Sequence, residues 1–480
     1  MDNHNKISIT NNCNNLKSYS PLLYNKNLAP IYNQNWSWYN IVSFWISNVH
    51  SISWYIVTSS FFNLGLKNWQ ILLCLIIGII IVQLSVNLIA KPSQISGLSY
   101  AVISRQAFGV FGANIPVIIH GIIAFIWYGI QTYLAANALM IILLRLFPHL
   151  DSISQINWLG LSCLGWCCFS IMWFLQIIIF WQGVDIVKRF LDISGPAVYI
   201  IMILTATWMI YKIGFNKIQY NSISTNLSPR AQIWQMITVI ALVVSYFSGQ
   251  ILNFGNFSCY VKNMKEVRYG NFLGLPINLL LFSIVISTMI YSTKLLFGRM
   301  IINPIEIFSM VGNDFVVAIG MFIVITATIT VNIAGNLITS AFDFSTCAPR
   351  KISFRTGAMI TAIGSVLLTP WNLFQSPTLI HFTLNLLTSF IGPLFGILIA
   401  DFYLIKHNKV FIKDLFNAKP KGIYWYKNGF NPKAIIALIV SSGICLIIVC
   451  IPRLNLIMNF NWFIGVIFSI GTYYYLVKKN

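Results

Sequence analysis

Four side chains in the apolar stretches of this chain have the types and spacing to hold a flat polar ring. Trp127 and Gln131 stand four residues apart in the run Trp127-Tyr-Gly-Ile-Gln-Thr-Tyr133, so on a helix they share a face. An indole plate one turn from an amide suits a planar heterocycle, because the ring stacks on the tryptophan while the amide donates and accepts along its edge. Asn332 and Asn336 repeat that spacing in Thr326-Ala-Thr-Ile-Thr-Val-Asn-Ile-Ala-Gly-Asn336, with Thr328 and Thr330 one turn or less below. Amides and hydroxyls in an apolar run need partners. Hydrogen bonds between helices would supply them, and so would a cavity holding substrate and ion.

The segments carrying these residues belong to a chain made for lipid. Of its 480 residues 57% are hydrophobic and 8% charged, against about a quarter charged in soluble domains. So few charges cannot cover a water-soluble surface, which excludes soluble enzymes and disordered chains. The net charge of +20 is spread between apolar runs rather than gathered in one patch, so no nucleic-acid polymer is expected as a partner. Nine cysteines lie without metal-ligand spacing, and neither a zinc site nor a haem is expected. The first 35 residues, rich in Asn, Ser and Lys, have no apolar core. They are expected to form a flexible cytoplasmic tail with no cleavable signal peptide.

A helix needs about 20 apolar residues to cross a bilayer. Twelve segments qualify, near 39–62, 70–91, 112–146, 158–181, 194–213, 233–256, 272–297, 314–339, 356–370, 379–405, 434–452 and 459–477. The expected class is an all-α polytopic membrane protein of twelve transmembrane helices. With the N-terminus inside, 22 of the 30 basic residues fall on the cytoplasmic side and 8 outside. That asymmetry obeys the positive-inside rule and places both termini in the cytoplasm. All ten carboxylates, Asp343 and Asp401 among them, fall in tails, loops or span ends. A coupling site built on a membrane-centre acid is therefore not expected.

Two spans look interrupted. The first crowds Ser47, Asn48, His50, Ser51 and Ser53 at its middle, and the sixth has Ser248, Gly249, Gln250, Asn253 and Gly255 in the corresponding place. Helix interruptions within a bilayer are tolerated where they line a cavity. Matched interruptions in two halves point to a transporter site near the midplane. Their positions imply a five-plus-five inverted repeat, 39–213 and 233–405, preceded by an N-terminal tail at 1–38. A basic cytoplasmic loop at 406–433 and two further helices within 434–480 follow. Small polar residues packing helix on helix are the competing explanation.

At these residues the chain resembles the nucleobase:cation symporter family, which includes bacterial hydantoin and allantoin transporters and uracil permeases. The stretches that carry the resemblance are Ser47-Asn-Val-His50, Ser96-Gly-Leu-Ser-Tyr100, Trp127 to Tyr133, Asn332-Ile-Ala-Gly-Asn336 and Ser340-Ala-Phe-Asp-Phe344. Pro349-Arg-Lys-Ile-Ser-Phe-Arg355, Thr369-Pro-Trp-Asn-Leu373 and Ile391-Gly-Pro-Leu-Phe-Gly-Ile-Leu-Ile-Ala-Asp401 follow in family order. The resemblance implies the inverted-repeat fold of sodium-coupled amino-acid transporters. It implies ring stacking on Trp127, with Gln131 and Asn336 bonding the amide edge and Asn332 beside them. A second aromatic face would come from Phe247, where the sodium–hydantoin member has tryptophan. Tyr246 stands where that member has a glycine whose backbone touches substrate, so the pocket should be shaped differently.

The resemblance also implies a cation site from the carbonyls of Ile46, Val49 and Ala327 with the side chains of Thr330 and Val331. Valine has no hydroxyl, so sodium should bind weakly, and the coupling cation is proton or sodium. His50 is the histidine within a break and the candidate proton carrier. A neutral, hydrogen-bonded histidine that shapes the break is the alternative. The family's Asp and Arg after the sixth-span break are Asn256 and Cys259 here, so both charges are absent together. The function implied is secondary active import of a nucleobase or related heterocycle, with no cofactor and no catalytic residues. A heterocyclic vitamin, thiamine or a pyridine derivative, is the alternative cargo. A monomer in the bacterial cytoplasmic membrane is expected. A major-facilitator transporter would have a longer central loop, an embedded enzyme a nucleophile or acid pair, and a channel a repeated filter; none is visible.

Overall fold

Runs of Ile, Leu, Val and Phe leave the backbone no water to bond within a bilayer, so it must satisfy itself by coiling. A computed structural model of the chain describes residues 19–214, 227–301, 303–310, 314–373 and 376–479. The first span is split into α1 (Trp38–Val49) and α2 (Ile52–Phe61). There follow α3 (Asn68–Ser96), α4 (Tyr100–Phe108), α5 (Asn114–Leu146), α6 (Cys163–Trp181) and α7 (Val184–Ile213). The second half contains α8 (Pro229–Asn253), α9 (Asn278–Phe297), α10 (Asp314–Asn332), α11 (Thr339–Cys347), α12 (Phe354–Leu367) and α13 (Pro377–Ile399). The last two are α14 (Pro432–Cys450) and α15 (Asn461–Lys478).

Each expected span falls on helix. Eight helices are long and apolar enough to cross a membrane, and a bent pair, Pro452–Met458 with Asn461–Lys478, makes up to nine among the described residues. The first, fifth and ninth expected segments are broken or have shorter apolar helices. The fourth starts later than expected, because Asn157–Trp158 and Leu161–Ser162 pair as a two-residue hairpin before α6. α5 is the central post, packed on α6, α10, α11 and α12, while α3 lies on α8 and α13 on α15.

The break in the first span is built by its own side chains. Asn48 Nδ2 donates to the carbonyl of Phe44 at 2.8 Å, competing with the helix ladder. His50 leaves helical geometry at ψ 32°. Ser51 is extended and caps the second half, its Oγ accepting from the Trp54 N–H at 3.2 Å. The sixth span breaks at the far end of its polar stretch, between Asn253 and Gly255, rather than at its middle. α8 runs unbroken through Ser248, Gly249 and Gln250 to Asn253, and the chain turns only at Phe254. Ser248 bonds the carbonyl of Ser245 at 2.6 Å, so its hydroxyl stays within the helix rather than opening it.

Two further expectations are corrected. The N-terminal segment is not a free tail from residue 19 onward: the Ile31 N–H bonds Gly97 O at 2.8 Å, and Trp36 exchanges backbone bonds with Tyr260 and Lys262. Residues 1–18 lie outside the described part. Gly97 has φ +67°, and a Cβ there would meet Ile31 O at 2.4 Å. Gly97→Ala should lower stability by about 1–2 kcal/mol for the left-handed backbone alone. A lower melting temperature of the detergent-solubilised protein, with faster proteolysis near residues 30–36, is the expected result.

Asp343 is the second correction. It was placed beyond the end of the eighth span, but α10, a π segment at Ile333–Ile338 and α11 run on as one helix. The polar side chains there bond back to their own helix: Thr339 to Gly335 O, Ser340 to Asn336 O, and Thr346 to Phe342 O. Such bonds let a polar stretch stay helical inside protein. Asp343 is 0% exposed and its Oδ2 lies 2.5 Å from His120 Nδ1 on α5. Asp401, near the end of the tenth span, is likewise buried, accepting from the Tyr473 hydroxyl at 2.9 Å.

Candidate functional site

The helix carrying Asn336 widens where that residue sits. Its π turn spans Ile333–Ile338, an irregularity frequent at functional sites. Asn336 is partly exposed, whereas Asn332, one turn earlier, is fully buried. Asn336 Nδ2 donates to Asn332 Oδ1 at 2.8 Å. Asn332 Nδ2 in turn faces the carbonyl of Tyr128 at 2.9 Å, Thr132 Oγ1 at 3.1 Å and Gln176 Oε1 at 2.7 Å. Asn332, expected beside the substrate, is thus engaged with α5 and α6 behind Asn336.

Across from it, α5 presents Trp127, partly exposed, and Gln131, which is 3% exposed. Gln131 Nε2 donates to Ser53 Oγ at 2.8 Å, and its Oε1 is buried without a hydrogen-bond partner among the described residues. Ser53 belongs to a triangle of hydroxyls closed by α8. The Tyr246 hydroxyl lies 2.8 Å from Ser53 Oγ and 3.0 Å from Ser51 Oγ, and the two serines are 3.2 Å apart. The Tyr246 ring stands edge-on to Trp127 at 5.5 Å and 79°. Its other neighbours are Trp54 at 4.8 Å and Phe247 at 5.1 Å. Tyr246 is therefore an aromatic directly beside the indole, and Phe247, fully buried, packs on Trp54 and Tyr246.

The expected cation residues lie at the break and on α10. The carbonyl of Ile46 accepts the His50 N–H at 3.2 Å, and Val49 is the last residue of α1, fully buried. Ala327 is buried, and Thr330 donates its hydroxyl to Thr326 O at 2.5 Å, which leaves its lone pairs available. Val331 is buried too. The His50 ring lies 4.6 Å from that of Tyr199 and 4.4 Å from that of Phe282. It borders an apolar cavity of about 350 Å³ together with Ile46, Pro196, Tyr199, Leu273 and Asn278. Asn256, standing where the family has Asp, keeps the acceptor role, its Oδ1 taking the Tyr100 N–H at 2.9 Å at the start of α4.

Residues 30–465 match the family model described as permease for cytosine/purines, uracil, thiamine and allantoin. The chain belongs to this family. An allantoin permease of Bacillus subtilis is 28% identical to this permease over 461 residues, covering 95% of this chain and 94% of that one. A purine-uracil permease of Arabidopsis thaliana is 30% identical over 426 residues, covering 88% of this chain and 70% of its own. Among solved structures, Mhp1, a nucleobase-cation-symport-1 family transporter in a closed conformation with bromovinylhydantoin bound, superposes with TM-score 0.76 at 20% identity. That match covers 95% of this chain and 96% of Mhp1. MhsT in complex with L-phenylalanine superposes at 0.55 and 13% identity, covering 85% and 97%. This permease therefore has the fold expected from its interrupted spans, an all-α membrane transporter fold rather than an enzyme's.

Sequence reasoning missed Gln176 and His120. Each interrupts an otherwise apolar run, Gln176 being the one amide in Cys163–Trp181. That was the available signal, because a buried polar side chain in such a run must have a partner.

Proposed function

We propose that this permease imports a nucleobase or a related ureide ring by cation symport with alternating access. The observation carrying the reading is the grouping of Trp127, Tyr246 and Gln131, two aromatic rings and an amide, with Asn336 tied through Asn332 to Tyr128 and Thr132 of the same helix α5. The ring stacks on Trp127 beside Tyr246, Gln131 and Asn336 bond its edge, and Asn332 and Phe247 support them from behind. The relatives' names, an allantoin permease and a purine-uracil permease, support the same cargo class. The two repeats, 39–213 and 233–405, would rock about the site. The 22-to-8 split of basic residues supports cytoplasmic termini in a bacterial inner membrane. A monomer suffices, since every proposed contact comes from one chain.

For coupling, the proposed cation ligands are the carbonyls of Ile46, Val49 and Ala327 with Thr330. Val331 withholds a fifth oxygen, which favours a proton, with His50 as its carrier. Radiolabelled uracil, cytosine, adenine, hypoxanthine and allantoin would be offered to permease-deficient cells with sodium and pH varied independently. Saturable uptake of one ring that needs a proton gradient and ignores sodium is expected. Val331→Thr, which adds a hydroxyl, should make uptake rise severalfold with sodium. Strict sodium dependence of the wild type would overturn the proton reading. Uptake of thiamine but of no nucleobase or ureide would move the cargo to a vitamin.

A further inference from the structure

One buried titratable pair takes no part in the cargo and cation sites proposed above. His120 and Asp343, 2% and 0% exposed, meet at 2.5 Å between Nδ1 and Oδ2. Helical spacing puts the pair in line with the cargo site. His120, Ala124, Trp127 and Gln131 recur every three or four residues along α5, so His120 stands on the face that carries Trp127 and Gln131. Asn336, Ser340 and Asp343 recur in the same way on the facing helix, where the Ser340 hydroxyl donates to Asn336 O at 2.7 Å and fixes the register. The helices are antiparallel, since Tyr128 and Thr132 meet Asn332 while His120 meets Asp343. His120 and Asp343 thus lie seven residues beyond Trp127 and Asn336, about 10 Å at 1.5 Å per residue. The step runs toward the end that carries Arg350, Lys351 and Arg355, the cytoplasmic end by the positive-inside rule.

The surrounding groups leave the pair to balance its own charge. Cys347, one turn on, donates its thiol to Asp343 O at 3.5 Å. On α4, the Tyr100 ring lies 5.6 Å from that of His120, and its hydroxyl is buried without a partner among the described residues. Arg105, buried on the same helix, gives its guanidinium to Leu415 O at 3.1 Å and to the Phe416 ring at 5.3 Å. Arg355 on α12 bonds Trp181 O, and Lys26, Arg350 and Lys351 are exposed. Among the described residues Asp343 has no ion-pair partner besides His120, and its Oδ1 has no hydrogen bond. One proton makes the pair neutral, as imidazolium with carboxylate or as imidazole with carboxyl. Without it a lone carboxylate is left in the interior, which is costly until water enters. Tyr100, which lies against the pair, has its N–H held at 2.9 Å by Asn256 Oδ1 just after the sixth span, so movement of that span draws Tyr100 with it.

We propose that His120 and Asp343 together form a proton site on the transport path. The pair takes one proton from water that enters the cargo site, and releases it to cytoplasmic water when the sixth span draws Tyr100 away. This inference rests on the cation-symport reading and gives its proton a carrier besides His50.

The test uses the purified full-length protein in sodium-free liposomes, with whichever of radiolabelled uracil, hypoxanthine or allantoin wild-type cells accumulate. An interior about one pH unit more alkaline sustains about tenfold accumulation at one proton per ring, because a pH unit is a factor of ten. Exchange of external labelled for internal unlabelled ring needs no net proton movement. In Asp343→Asn the amide keeps a hydrogen bond to the His120 ring and stands in for a carboxyl that never releases its proton. Exchange should persist near the wild-type rate while pH-driven accumulation is lost. The double variant His120→Leu/Asp343→Leu, which removes both buried charges, should behave alike. A merely structural role would move exchange and accumulation together, and that result in both variants, in protein eluting as a folded peak, overturns the proposal. Undiminished pH-driven accumulation in Asp343→Asn overturns it too, and loss of accumulation in His50→Gln alone would then leave the proton on His50. A wild type that needs sodium would overturn the proton coupling on which the inference rests, and accumulation of no ring would overturn import itself.

Discussion

Gln131→Ala should abolish most uptake while leaving the protein in the membrane. The side chain is nearly fully buried, holds Ser53 at 2.8 Å with its nitrogen, and has an oxygen without a partner among the described residues. Alanine removes that oxygen from the substrate and one hydrogen bond from the Ser51–Ser53–Tyr246 triangle. The bound ring then loses the proposed amide partner, and the triangle is freed to move. A fall in uptake on the order of a hundredfold is expected, about 2.8 kcal/mol at 1.4 kcal/mol per decade. Initial rates across substrate concentration, normalised to surface-expressed protein, are the measurement. Gln131→Glu keeps a carbonyl-type acceptor but loses the donor to Ser53, so it should retain more activity than alanine. Unchanged uptake by the alanine variant would remove Gln131 from the binding wall.

The second large effect concerns folding. Asp343→Ala should deplete the folded protein, because His120, 3% exposed and bonded to Asp343 at 2.5 Å, loses its partner in the interior. Removing one member of a buried pair typically costs about 3–5 kcal/mol, whereas replacing both by apolar residues can be nearly neutral. The neighbours agree with a closed packing: the Tyr100 ring lies 5.6 Å from the His120 ring, tilted at 60°, and Phe344 stacks on Phe125 at 5.4 Å. The expected order of detergent-extracted monodisperse protein is wild type, then the double variant His120→Leu/Asp343→Leu, then either single variant. Fluorescence-detected size-exclusion chromatography with a thermal ramp would measure it. If Asp343→Ala matched the wild type, the pair would carry no stability.

The membrane class, the helical segments and the family were all legible before any coordinates, as was the helix face that Trp127 and Gln131 share. Hydropathy is a local sum over about 20 residues, and a four-residue spacing sets a shared helix face without tertiary information. The break at His50 was legible for the same reason, since Ser51 and Asn48 act on backbone within four residues of themselves. What stayed hidden is pairing between distant polar groups. Gln131 meets Ser53 across 78 positions, Asn332 meets Gln176 across 156, and His120 meets Asp343 across 223. No periodicity records such separations, so Asp343 passed for a residue beyond its span and Gln176 went unnoticed. In the sixth span only the position of the break was hidden: Ser248 bonds within its own helix, so the chain stays helical until Phe254. The sequence shows that amides occur within the spans. Which groups each amide holds was decided only by the packing of α5, α6 and α10, because an amide's nitrogen turns to whichever fixed carbonyl lies nearest.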